Sequence, residues 1–310
     1  MTYEQKRLLV VVKTYPNPSH AYGETVCCAG VDFATGRWVR MYPITFRRLA
    51  GKQFAKYQII ECRASKPRKG DFRPESLRID QDSITLIGEP LPADAKGWRR
   101  RMDLLPDTMK SVEAVQAAQA ADGTSLAMIR PKEILGLAIE RAKPWTAKEK
   151  AYVLQQNLEL GAATSKQLRD LEQIPWKFSY RFTCRDDECV TRHKLSVIDW
   201  EIGESYRKWS VAYGDAWRDA IRKRYEQELP ARDLHFVLGN LAKRQHTFVI
   251  IGLVRPPRSK MSGGYIQESL DLMGQKRPVA GIRVSLEAQK ADPLAGDDRD
   301  QTLEFFPDEG

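Results

Sequence analysis

Arg37-Trp38-Val39-Arg40-Met41-Tyr42 alternates large side chains with arginines and stops at Pro43. A period of two is the pattern of a strand with one packed and one wet face. Working outward from it, the turn Asp32–Gly36 leads back to an extended stretch at Glu24–Val31. Before that, the turn signal Tyr15-Pro16-Asn17-Pro18-Ser19 follows the apolar strand Leu8–Thr14. Downstream, Tyr57–Ala64 reads as another strand, the basic bend Ser65–Gly70 follows, and Ser83–Ile87 closes the set. Four or five short strands joined by tight turns make a small barrel or a sandwich.

The middle of the chain changes character. Leu104–Ala121, rich in alanine and glutamine after Pro106, reads as a helix. Pro131 argues against a continuous helix through Gly123–Glu140, and Ile134–Ile139 is expected to return as a strand to the first barrel. Thr146-Ala147-Lys148-Glu149 is a capping box that starts a helix running to about Leu160. Lys177–Phe182 is again a strand. A long helix is expected from Glu201 to about Leu229, with Ile202, Tyr206, Trp209, Tyr213, Trp217 and Ile221 as its packed stripe. A hairpin, His235–Gly239 and Thr247–Val254, follows. No short repeat is evident. These readings divide the chain into an N-terminal β module at 1–145, a helical segment plus second β module at 146–290, and an acidic flexible tail at 291–310.

The 310 residues are 42% hydrophobic and carry 50 Lys+Arg against 41 Asp+Glu, a formal charge of +9. Such a balance favours a polyanionic partner, although an ordinary basic protein has it too. The longest apolar runs, Leu8–Val12 and Phe248–Val254, are strand-sized, far from the roughly 18–20 residues of a membrane helix. The run at Leu8 is too short for a signal peptide, and five cysteines are an odd number for a disulfide framework. A cytoplasmic protein with no membrane association is the expectation. The phosphate-binding Walker loop, Gly-x-Gly-x-x-Gly, Gly-x-Ser-x-Gly and His-Glu-x-x-His are all absent, as is the deaminase His-x-Glu with Cys-x-x-Cys.

Cys184-Arg-Asp-Asp-Glu-Cys189-Val-Thr-Arg-His193 is the sharpest local signal. Two thiolates and an imidazole directly after a strand suit three ligands of a tetrahedral zinc site. The fourth ligand is open: His235, His246 or Cys62 from elsewhere, Asp186, Asp187 or Glu188 from within the loop, or water. The bland alternative is two buried thiols and an exposed histidine. A structural zinc is favoured; in a catalytic version Asp199 or Glu201 is the nearest base.

A second signal is the interleaving of Lys13, Tyr15, Arg37, Trp38, Arg40, Tyr42, Arg47 and Arg48. Aromatic platforms beside guanidinium groups hold single-stranded nucleic acid by stacking and phosphate contacts. The alternative has Trp38 and Tyr42 in a core with solvated arginines, which leaves Arg40 oddly placed on their face.

Several strings taken together, KTYPNPSHAYGETVCCAGV, GRWVRMYPI, DFRPES, IPWKFSYRFTC, DWEIG, HFVLGN and TFVIIGL, resemble a bacterial family of dual OB-containing proteins, found at times near defence or mobile-element genes. The likeness spans roughly residues 8 to 257. It implies an α+β fold of two small OB-like β-barrel modules, with a helical insertion and a long helix in the C-terminal half. It also implies a Cys-Cys-His element before Asp199-Trp200-Glu201, matched by Cys184, Cys189 and His193. In the family pattern the histidine lies slightly closer to the second cysteine, which leaves the knuckle geometry open. The function expected is that of a nucleic-acid-binding accessory protein, for single-stranded DNA or RNA, in an antiviral-defence or mobile-element setting. Alternatives are a metal-dependent nuclease or hydrolase using residues 184–201, and a scaffold for a protein partner.

Overall fold

Strand β1 (Glu4–Lys13) carries five apolar residues in a row, Leu8 to Val12, all fully buried. A strand apolar on both faces has to lie between two packed layers, and β1 does. Leu8 and Val10 join Val26, Cys28, Val39, Met41 and Ile60 in one core. Leu9 and Val11 join Val31, Trp38, Met128, Val237 and Ile251 in another. Each such side chain removed from water contributes about 1.5–3 kcal/mol. The computed structural model describes residues 2–19, 23–44, 54–67, 71–151, 153 and 172–258.

The first sheet adds β2 (Asn17–Ser19), β3 (Gly23–Asp32), β4 (Arg37–Ile44), β5 (Ile59–Ser65) and β6 (Ser76–Ile87). The first half of β1 pairs with β5 and its second half with β3. Because β3 pairs with β4, β4 runs parallel to β6, and β6 pairs with β5, the pairings return to β1 in a ring. Gly30 permits the β1–β3 approach. A Cβ there would lie 2.1 Å from the Leu9 carbonyl oxygen.

The second sheet holds seven strands: β7 (Thr108–Met109), β8 (Leu126–Ile129), β9 (Glu133–Arg141), β10 (Trp176–Thr183), β11 (His193–Val197), β12 (His235–Leu241) and β13 (Arg244–Val254). It repeats the pairing order of the first. β8 pairs with β12, β9 with β10, β10 with β11, β11 runs parallel to β13, and β13 pairs with β12. Only Arg130-Pro131-Lys132 separates β8 from β9, so the two act as one bent strand serving both neighbours, as β1 does.

Besides the turns started at Thr146, the described helices are α1 (Ala95–Asp103), α2 (Val112–Asp122), α3 (Trp200–Tyr213) and α4 (Trp217–Arg222). The capping box forms, with the Glu149 N–H donating to Thr146 Oγ1 and the Thr146 N–H donating to Glu149 Oε2. The extent of that helix to Leu160, and the tail at 291–310, lie outside the described residues.

Several expectations need correction. Ile134–Ile139 does not return to the first sheet; it forms β9 and pairs with β10. The sheets therefore divide between Ile87 and Thr108, well before residue 145. The single helix from Glu201 to Leu229 is interrupted at Gly214, whose φ of 52° breaks the hydrogen-bond ladder. A 3-10 turn, α4 and a π-helical turn at Lys223–Glu228 continue it. Tyr213, at the break, is exposed while Ile202, Trp217 and Ile221 are buried.

The alternation read at 37–42 is real, but both faces are packed. Val39 and Met41 fill the first-sheet core, while Trp38 and Arg40 face the second sheet. Arg40 Nη2 donates to the Ser125 carbonyl at 2.9 Å, and its Nη1 to Cys27 Sγ at 3.2 Å. That is why an arginine shares a face with Trp38: it bridges two sheets.

Candidate metal centre

β10 ends at Thr183, and Cys184 follows it into the core, among Phe178, Phe182 and Val197. The chain then turns back. The Cys189 N–H donates to the Asp186 carbonyl at 3.0 Å, and the Glu188 N–H to Asp186 Oδ1 at 3.3 Å. His193 opens β11 directly across from Phe182, so the hairpin register brings the imidazole beside both sulfurs. From outside the hairpin comes Glu113, in the first turn of α2, which Ser111 caps by accepting from the Ala114 N–H.

One ligand atom from each of Glu113, Cys184, Cys189 and His193 lies within 4.8 Å of all the others. His193 Nε2 is 3.3 Å from Cys189 Sγ and 3.3 Å from Glu113 Oε1. Ligands held about 2.0–2.3 Å from a tetrahedral zinc would stand about 3.3–3.8 Å apart, so the two separations from His193 match the required spacing. Burial, with Cys189 beside it, pushes the Cys184 thiol up to about 12, although the Val112 N–H partly opposes this. That N–H belongs to the start of α2, where the helix dipole favours negative ligands.

Cys184, Cys189 and His193 thus come together as the sequence suggested. The further group that lies with them, Glu113, is not among those weighed from the sequence. His235 Nδ1 contacts the Asp233 carbonyl, Cys62 is in the first-sheet core, and Asp187 is solvent-exposed beside Lys132. Glu113 carried no local signal, because only the α2 packing brings it to the hairpin.

Among the described residues, the basic and aromatic side chains expected to share an N-terminal surface are not all on one. Trp38 and Arg40 are buried between the sheets. Lys13 Nζ donates to the Phe54 carbonyl and lies 5.5 Å from the Trp200 ring, against which Tyr15 also packs. Arg37 is exposed and Tyr42 half-buried. Arg47 and Arg48 lie outside the described residues.

Asp199 and Glu201 are committed elsewhere. Asp199 is completely buried; its Oδ1 accepts from the Glu201 N–H at 2.7 Å, and its Oδ2 from the Leu253 N–H at 3.0 Å. Lys56 Nζ lies 3.3 Å from Asp199 Oδ2 and 2.9 Å from Glu201 Oε1, and Arg255 Nη1 donates to Glu201 Oε2 at 2.6 Å. Burial raises the Asp199 carboxyl against the pull of Lys56. Glu201 goes the other way: although burial would raise it, Arg255 and Lys56 hold it down at about 2. Asp199 is thus held by Lys56 and two backbone N–H groups, and Glu201 by Lys56 and Arg255.

Two family descriptions divide the chain between them. That given as Domain of unknown function (DUF8758) matches residues 4–107, and that given as Domain of unknown function (DUF8757) matches residues 106–273. Their junction falls between the two sheets. No curated protein matches the chain.

Proposed function

We propose, for a chain that belongs to the family described as Domain of unknown function (DUF8757), that it is a zinc-clamped pair of OB-type barrels binding single-stranded nucleic acid. The observation that carries this reading is the four-ligand cluster of Glu113, Cys184, Cys189 and His193. Four protein ligands leave a tetrahedral ion no position for substrate, the arrangement of a structural zinc rather than a catalytic one. The ion would tie the β10–β11 hairpin to α2, and the protein would act by binding.

The OB-type assignment rests on pairing order. Leaving out the short β2 and β7 and counting β8–β9 as one strand, in each sheet the first strand pairs with the second and fourth, and the third runs parallel to the fifth. That is the order of a five-stranded Greek-key barrel, a fold that often binds oligonucleotides. Fold alone does not settle function; charge and rings add support. Lys177, Arg181 and Lys194 are exposed on β10 and β11. The guanidinium carbons of Arg141 and Arg218 lie 4.1 and 4.3 Å from the Trp176 ring centre.

Metal analysis and oligonucleotide binding on one sample test the reading. The expected result is one zinc per chain, lost in Cys184→Ser, and single-strand affinity that falls steeply with salt. Metal-free protein of unchanged stability would overturn the zinc assignment. Absence of binding to DNA or RNA single strands at low salt would overturn the nucleic-acid assignment.

A further inference from the structure

Phe72 lies in the β5–β6 loop with 84% of its surface exposed, more than any other described aromatic residue. Single exposed apolar residues are common, but this one is carried on a braced loop. Arg73 Nε and Nη2 each donate to the Asp71 carboxylate at 2.7 Å, a two-pronged pair, and Ser76 Oγ donates to Asp71 Oδ2 at 2.8 Å. Arg73 Nη1 also donates to the Asn240 carbonyl at 3.1 Å, fixing this part of the loop against the end of β12 in the other sheet. Two residues on, Glu75 accepts from the Ser125 N–H at 2.8 Å and from the Ser125 hydroxyl at 2.7 Å. A loop tied down on both sides of an outward ring holds that ring in place at little entropic cost on binding.

The surroundings are cationic. Lys66, which donates to the Pro74 carbonyl, is exposed in the same loop, and Lys243 and Arg244 are exposed just beyond the β12 end that Arg73 contacts. Asp71, next to the ring in sequence, is paired with Arg73, and Glu75 is taken up by Ser125. An exposed flat ring carried on the same loop as Lys66 suits a base and its phosphates, which take a ring for stacking and cations for the backbone.

We infer that Phe72 is a stacking platform for an unpaired base, with Lys66, Lys243 and Arg244 tracking the adjoining phosphates across the junction of the two sheets. This rests on the single-strand reading above and names its contact point. The test is fluorescence anisotropy with labelled oligothymidine and oligouridine at low salt. Phe72→Ala is expected to weaken binding about 5- to 150-fold, the range of one lost stacking contact, with unchanged melting temperature because the ring is exposed. Phe72→Trp retains binding, and its fluorescence is quenched by the oligonucleotide. Paired replacement of Lys243 and Arg244 by alanine flattens the salt dependence. If the wild type binds and Phe72→Ala binds equally well, the platform is refuted and the broader reading stands. If the wild type binds neither oligonucleotide, both fall together.

Discussion

Replacing Asp199 by alanine should damage the protein more than its small size suggests. Three donors converge on this carboxylate: the Glu201 N–H, the Leu253 N–H and the Lys56 ammonium. It caps α3, holds the end of β13 and receives a lysine from the first sheet's side, all with no access to water. Losing the cap costs about 1 kcal/mol, and each buried N–H left without an acceptor about 1–3 kcal/mol. Removing one member of a buried ion pair costs about 3–5 kcal/mol. These overlap, because Lys56 keeps Glu201, so a net loss of about 4 kcal/mol is expected. For a protein of this size that lowers the melting temperature by about 8–16 °C.

Thermal denaturation followed by circular dichroism measures the shift. The diagnostic comparison adds Lys56→Met and the double variant Lys56→Met/Asp199→Ala. Lys56→Met leaves the buried Asp199 without its cation and Asp199→Ala leaves Lys56 only Glu201, whereas the double change removes the pair, so the double should lose less than the sum of the singles. A melting temperature within about 3 °C of wild type for Asp199→Ala, well under the per-kcal/mol scale just used, would refute the reasoning. So would strict additivity in the double variant.

Other outcomes follow from the same geometry. Glu113→Ala should weaken zinc binding by at least the roughly 10–100-fold seen when outer-shell partners are lost, measured by competition with a chromogenic chelator. Gly30→Ala should cost about 3 kcal/mol or more, because the new methyl meets the Leu9 backbone, which cannot move aside; chemical denaturation reads this. Arg40→Ala should lower stability without a selective loss of oligonucleotide affinity, since the side chain bridges the sheets. Although burial would raise the Asp71 carboxyl, hydrogen bonds from Arg73 and Ser76 hold it at about 2 against the usual 3.8. A depressed carboxyl stabilises the fold above its unfolded value and loses that contribution as pH falls toward its folded one. Between pH 3.8 and about 2, wild type should therefore lose more stability than Asp71→Asn, as acid titration of the melting temperature would show.

Strands were legible wherever local pattern carried them. β1, β4, β10 and the β12–β13 hairpin follow from apolar runs, period-two alternation and turn residues, all properties of neighbouring positions. Three metal-type ligands were legible for the same reason, since they span ten residues of one hairpin. Pro131 was correctly a break, but what it broke was one bent strand shared by two neighbours.

By itself, then, the sequence determined a β-rich chain of net positive charge with a Cys-Cys-His knuckle. Only the tertiary structure decided that Trp38 and Arg40 face another sheet, that Glu113 approaches the knuckle, and that Asp199 meets Lys56. Alternation tells which residues share a face but not what covers that face. Covering depends on contacts between residues far apart in the chain, and those exist only once both sheets have closed and docked.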